Sequence, residues 1–370
     1  MKETESSRRE FLTNTLVSTA VSATAVSASI ASNLMTPLPI EAKTINPSLT
    51  SKSEEINMNE EKSNTGLPQR PLGKTGVNVS IICLGGWHIG SVKDDNESIK
   101  IMHAAIDEGI NFFDNAWDYL DGRSEELMGK ALAVEGKRKK VFLMTKNCAR
   151  DAKGTRQHLE DSLRRLKTDV LDLWQFHEIN YDNDPDWIVE KGALAEALKA
   201  QKEGKVRFIG FTGHKSPHIH EMMLPKHTWD TVQMPINICD AFYRSFQKQI
   251  VPKLNEKKIG VIGMKSLGGG NMESGGRLVA QGVCKVEEAI RYALTVPISS
   301  LVVGIDSMKV LKQDIEIARN FKPMSEEEQQ ELLKRVKAVA GDGRHEMFKS
   351  TQNFDGPYHR KQHNFEVQAT

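Results

Sequence analysis

From residue 79 onward the sequence alternates between two kinds of segment. Short β-prone runs recur eight times, and stretches with helical spacing lie between them. The runs are VSIICLG (79–85), INFFD (110–114), VFLMTK (141–146), LDLWQFH (171–177), VRFIGFTG (206–213), TVQMPIN (231–237), IGVIGMK (259–265) and SSLVVGI (299–305). The first intervening stretch offers Asp94 or Asp95 as an N-cap and Gly109 as a stop. In GTRQHLEDSLRRLKTD, Leu159, Leu163 and Leu166 recur at helical spacing. DWIVEKGALAEALKAQKEGK reads as one long helix stopping at Gly204, and KVEEAIRYALTVP and MKVLKQDIEIARNF supply the last two crossings. Strict β-α alternation implies parallel strands joined by helical crossovers. Eight units predict an α/β fold of the closed (β/α)8 TIM-barrel type in a single domain.

Such a barrel carries its functional groups at the C-terminal ends of its strands. Asp114 ends the second run, Lys146 the third and His177 the fourth, and Tyr119 follows in the loop after the second. Singly, a strand-end Asp is a turn residue and a loop Tyr packs its ring. Four ionisable groups on one rim read instead as a catalytic cluster.

The flanking segments read differently. Residues 1–42 follow the plan of a signal peptide: Arg8 and Arg9 are paired, and no Asp, Glu, Lys or Arg follows Glu10 until Glu41. SRREFL resembles a twin-arginine export signal, which implies the twin-arginine machinery as a partner and a periplasmic or other extracytoplasmic location. An uncleaved membrane anchor is the alternative; no stable span is expected, because the stretch is rich in Ser and Thr and poor in Leu, Ile and Phe. Residues 43–67 read as a polar linker, 68–340 as the barrel and 341–370 as a C-terminal tail. Within the barrel, RPLGKTGVNVS (70–80) has hairpin chemistry suited to covering its floor. Ser325 and Glu328 form a capping-box pattern that opens a last helix.

A net charge of +1 leaves no electrostatic footprint for nucleic acid. Cys83, Cys148, Cys239 and Cys284 are widely spaced and read as buried free thiols, a disulfide in an oxidising compartment being the alternative. His214, His218, His220 and His227 lack a metal-ligand pattern, and no metal is expected.

The segments FFDNAWDYLDGRSEELMGKAL, VFLMTK, LEDSLRRLKTDVLDLWQFH, EALKAQKEGKVRFIGFTGH, KKIGVIGMKSLGGG and SLVVGIDSMKVLKQDIEIA, in this order, resemble the aldo-keto reductase superfamily over roughly residues 68–340. The resemblance implies a (β/α)8 barrel that binds NAD(P)H and interconverts carbonyls and alcohols by hydride transfer. Its catalytic tetrad falls on Asp114, Tyr119, Lys146 and His177. Tyr119 is expected to act as general acid and Lys146 to lower its pKa. Asp114 would hold Lys146, and His177 would orient the carbonyl.

The resemblance also implies a cofactor site. The nicotinamide amide would lie near Thr212 and Gln233. The usual Ser-Asn is here Thr212-Gly213, so one amide partner is missing unless His214 or the backbone replaces it. Met264 stands where an aromatic residue stacks on the ring. Lys265, Ser266, Leu267 and Gly269 belong to a glycine-rich loop suited to a pyrophosphate. Gly304, Asp306 and Ser307 cover the adenosine end, with Gln313 and Asp314 where a Glu-Asn pair holds adenine. The family at large favours NADP(H), whereas the acid at position 306 favours NAD(H). Trp87 and Trp117, with Tyr181, are expected to line the pocket of a small carbonyl substrate. A nicotinamide-nucleotide-binding redox sensor with little turnover is the alternative from another class, and a different barrel enzyme is a second.

Overall fold

The computed structural model describes residues 61–349 apart from 63, 135 and 270–274. The export-signal reading, most of the linker, part of the glycine-rich loop and the tail beyond 349 lie outside the described residues. Two short strands come first, β1 (Glu61–Lys62) and β2 (Pro68–Pro71), then β3 (Asn78–Ser80). The barrel strands are β4 (Ile82–Gly85), β5 (Phe112–Asp114), β6 (Phe142–Asn147), β7 (Leu171–Phe176), β8 (Val206–Thr212), β9 (Thr231–Pro235), β10 (Gly260–Met264) and β11 (Ser300–Val303). They close in the order β10-β11-β4-β5-β6-β7-β8-β9, every neighbour parallel. All eight expected runs are barrel strands.

The helices are α1 (Gly86–Ser91), α2 (Asp95–Asp107), α3 (Arg123–Leu132), α4 (Ala152–Leu166), α5 (Asp184–Glu190), α6 (Ala193–Lys202), α7 (Pro217–Met223), α8 (Phe246–Gln249), α9 (Val251–Glu256), α10 (Arg277–Ala280), α11 (Val286–Thr295), α12 (Met308–Arg319) and α13 (Glu326–Ala340). Asp94 caps α2 through its side chain, and Ser325 with Glu328 forms the capping box of α13. The long helix expected over 186–204 is two helices, α5 and α6. Gly192, at φ 83°, breaks them; that conformation suits glycine, and the Lys191 carbonyl turns away to accept from Ala152 N. No described helix is long and apolar enough to cross a membrane.

The core has two layers. Inside the barrel lie Cys83, Phe112, Met144, Leu173 and Ile262, sealed below by Leu72 and Val79 of the β2–β3 hairpin. Gly73, at φ 56°, lets this hairpin sit against the barrel floor: a Cβ there would lie 2.3 Å from Gly260 N, and Lys74 N donates to Lys258 O. Between strands and helices runs the larger apolar layer, including Ile82, Leu84, Trp174, Phe211, Trp229 and Leu301. Each such side chain contributes about 1.5–3 kcal/mol by leaving water. Registers align the rim: Asp114 faces Met144, Lys146 faces Gln175, and Thr212 faces Gln233.

Candidate active site

The four expected catalytic residues converge at this rim. Lys146 Nζ donates to Asp114 Oδ1 at 2.5 Å, to Asn115 O at 2.7 Å and to Tyr119 Oη at 3.1 Å. Its side chain is 1% exposed and that of Asp114 3%, so the ion pair is dry. The Tyr119 ring stands edge-on to His177, with centroids 5.6 Å apart, and to Trp87 at 5.5 Å. A strained turn presents the phenol. Leu120 and Asp121, next along the chain, both have positive φ, 55° and 54°. Trp87 is 48% exposed and forms an outer wall.

The electrostatics of Tyr119 differ from expectation. Burial first, then the charges of Asp114, Asp118 and Glu178, push its phenol well above the ordinary value of 10. The hydrogen bond from Lys146 does not outweigh them. The phenol therefore stays protonated at neutral pH.

His177 is held by partners the sequence did not single out. Its Nδ1 lies 3.0 Å from Asp118 Oδ1 and 3.5 Å from Cys148 Sγ. Arg150, 2% exposed, donates to the carbonyls of His177 and Glu178 and pairs with Asp184. Burial favours a neutral Asp118, yet the His177 charge and hydrogen bond outweigh it and hold the carboxyl low. Glu178 is buried with φ 51°, its carboxylate 3.8 Å from His214 Nδ1. The only signal for Asp118 and Glu178 was adjacency to Tyr119 and His177.

Trp117 does not line this pocket. Its ring is stacked on His158 at 3.6 Å, Arg165 covers it at 5.4 Å, and its Nε1 donates to Asp161. It packs onto α4, because one residue's offset from Asp118 turns it to the helix side. Tyr181 is buried in the turn before α5.

Next to the tetrad is a place for a carboxamide. Among the described residues, Thr212 Oγ1 and Asn180 Nδ2 are buried without hydrogen-bond partners. They adjoin each other: Ile179 N donates to Thr212 O at 2.7 Å, and Asn180 Oδ1 accepts from His214 N at 3.0 Å. Burying such atoms unpaired costs about 1–3 kcal/mol each, which an amide ligand would relieve. Asn180 Nδ2 is thus a second buried donor beside Thr212 that could hold an amide. Gln233 Oε1 accepts from Gln175 Nε2 at 2.8 Å, and Met264, 7% exposed, ends β10.

Lys265 follows at φ 57°, with Ser266 buried beside it. Burial first, then the Lys146 charge, lowers the Lys265 pKa against the pull of Glu178. In the described part of the glycine-rich segment, Arg277 N donates to Gly269 O and Leu278 N to Leu267 O. Gly304 packs on the His88 ring. Ser307 caps α12 by accepting from Val310 N, so its hydroxyl is engaged. Asp306 lies near enough to His88 and Asp314 to shift both. Asp314 is buried, and burial first, with Asp306 adding to it against a hydrogen bond from Gln313, pushes its carboxyl up to about 7.

The tail reaches this region. The Phe348 ring lies 5.4 Å from Lys265 Nζ and 6.3 Å from the His214 ring. Lys349 is fully buried, bonded to Asp240 at 2.5 Å, Glu346 at 2.9 Å and the Tyr243 carbonyl at 2.8 Å. The four cysteines are buried and form no disulfide among the described residues. His214 and His220 are buried separately, His220 between Phe211 and Phe246, while His227 packs on Trp229.

A barrel of eight parallel strands with an Asp, Tyr, Lys and His at one rim defines a class of oxidoreductases. The sequence matches the Aldo/keto reductase family over residues 81–283, and the chain belongs to that family, whose members use nicotinamide cofactors. It is 34% identical over 205 residues to the aldo-keto reductase YhdN of Bacillus subtilis (strain 168), covering 51% of this chain and 58% of YhdN. It is 31% identical to the uncharacterized oxidoreductase YrpG of the same organism, covering 54% of this chain and 66% of YrpG. The chain thus spans less than two thirds of the length of these relatives. L-galactose dehydrogenase of Arabidopsis thaliana is 27% identical over 74% of this chain and 95% of its own. Among solved structures, the holo form of aldo-keto reductase AKR11C1 from Bacillus halodurans matches with TM-score 0.62 at 23% identity, over 76% of this chain and 99% of that one. The (β/α)8 fold is shared.

Proposed function

We propose that this chain is an NAD(P)H-dependent reductase of aldehydes and ketones, with Tyr119 as the general acid. The observation that carries the reading is the Lys146 ammonium, bonded at once to Asp114 and to the Tyr119 hydroxyl. When bound, a reduced nicotinamide would supply the hydride for the carbonyl carbon. Tyr119 gives its proton to the oxygen as negative charge develops there, and water restores it. Lys146, held by Asp114, stabilises the phenolate left behind, and His177 polarises the carbonyl. Thr212, Asn180 and Gln233 would hold the nicotinamide amide, and Lys265, Ser266, Leu267 and Gly269 the pyrophosphate. Gly304, Asp306 and Ser307 would face the adenosine ribose, and Gln313 and Asp314 the adenine. Family membership favours NADPH; the Asp306 carboxylate, which would repel a 2′-phosphate, favours NADH. Arg8 and Arg9 support export of the folded chain by the twin-arginine route.

The test is titration of the full chain with NADPH and NADH by quenching of Trp fluorescence, followed by nicotinamide absorbance against a panel of carbonyl compounds. Turnover that falls by about 10²–10⁴ in Tyr119→Phe is the expected result. Nucleotide binding without turnover on any carbonyl would instead make the protein a nicotinamide sensor.

A further inference from the structure

The hydrogen-bonded group behind His177 has the composition and spacing of a metal site. Three side chains from three different loops bring one donor atom each close together. Asp118 comes from the loop after β5, Cys148 follows β6 by one residue, and His177 follows β7 by one residue. The carboxylate oxygen, thiol sulfur and imidazole Nδ1 all lie within 4.8 Å of one another, with Nδ1 to Oδ1 at 3.0 Å and Nδ1 to Sγ at 3.5 Å. Tetrahedral zinc, with bonds of about 2.0–2.3 Å, requires donor separations of roughly 3.3–3.6 Å. The side chains are therefore within a few tenths of an ångström of that shape along both measured edges.

We propose that Asp118, Cys148 and His177 bind one divalent cation of the zinc class. The donor set selects this chemistry. A thiolate and an imidazole suit zinc and cobalt, and the sulfur disfavours magnesium and calcium. Three protein donors leave a fourth position for water, the pattern of an open rather than a closed zinc site. Binding releases the Cys148 thiol proton to solvent, and the thiolate and the Asp118 carboxylate together match the ion's two charges. The backbone is already braced. Arg150 donates to the carbonyls of both Cys148 and His177, at 2.9 and 2.8 Å, and His177 N donates to Asn147 O at 2.8 Å. Arg150 is itself fixed by Asp184 at 3.0 Å. The supporting shell that keeps metal ligands in place is thus present. The cation takes Nδ1 and leaves the opposite ring nitrogen, Nε2, carrying the proton.

Cobalt(II) titration of the metal-free full chain tests the site without nucleotide or substrate. The expected result is one ion per chain, visible tetrahedral ligand-field bands, a thiolate-to-cobalt charge-transfer band in the near ultraviolet, and displacement by one equivalent of zinc. Cys148→Ser should abolish the charge-transfer band, and Asp118→Asn should weaken cobalt binding by at least about tenfold. A wild-type chain that binds no cobalt, or a charge-transfer band that survives Cys148→Ser, overturns the proposal. If Cys148→Ser does not fold, Asp118→Asn decides: an unchanged cobalt affinity overturns the site.

Discussion

Asp118 Oδ1 lies 3.0 Å from His177 Nδ1, immediately beside the phenol of Tyr119. The carboxylate fixes the ring's rotation. Asp118→Asn keeps the shape but loses the charge, and a charge-assisted hydrogen bond contributes about 1.5–3 kcal/mol. The expected outcome is a fall of roughly tenfold or more in kcat/KM for carbonyl reduction with little change in nucleotide affinity. Because the folded Asp118 pKa is depressed, its stabilisation is present above the unfolded value of about 4 and is lost as pH falls through the folded value. The difference in urea stability between wild type and variant should therefore shrink only below about pH 4.

The Lys146–Asp114 pair is buried on both sides. Removing one partner strands a charge, so Lys146→Met should destabilise the barrel by about 3–5 kcal/mol in urea unfolding. Lys146→Met combined with Asp114→Leu should recover much of that loss, because neither charge then remains. Turnover should stay absent in both, separating the pair's part in catalysis from its part in folding.

Asp314 makes stability depend on pH in the opposite sense to Asp118. Its folded pKa of about 7 exceeds the ordinary carboxyl value, so between about pH 4 and 7 the native chain holds a proton that the unfolded chain releases. Stability therefore falls as pH rises across that window. Asp314→Asn should flatten the slope by up to about 1.4 kcal/mol per pH unit and gain up to about 4 kcal/mol at pH 8, read from urea midpoints. Glu346, also pushed up to about 7 by burial, leaves a residual slope of the same sign.

If Asp306 faces the adenosine ribose as proposed, its charge governs the cofactor ratio. Asp306→Lys exchanges a repelling for an attracting charge and should raise the NADPH-to-NADH affinity ratio by at least tenfold. An unchanged ratio, measured by fluorescence quenching, would place the 2′-position elsewhere.

The barrel was legible because its period is written eight times over, and Asp114, Lys146 and His177 were legible because they end runs. Gly192 splits a helix whose apolar pattern is nearly continuous on both sides, so periodicity did not reveal the break. Asp118, Glu178 and Asn180 are single polar residues in loops, and only three-dimensional closure turns them inward. Trp117 looked like a pocket residue from its place in the chain; its direction depends on His158 and Arg165, more than 40 residues away. Phe348 reaches Lys265 across more than 80 residues, a contact that no local pattern encodes.

Lys349 has a consequence for the order in which the molecule is completed. Asp240, in the loop after β9, already accepts from the Phe246 and Gln247 amides, yet its buried charge meets Lys349 only across 109 residues of chain. A chain emerging from the ribosome can pair all eight strands once Val303 is out. The loop after β9 must then wait, with an uncompensated acid, for the last turn to arrive. Synthesis arrested between these points would yield a closed barrel with an open, protease-sensitive rim on the side where Lys265 stands.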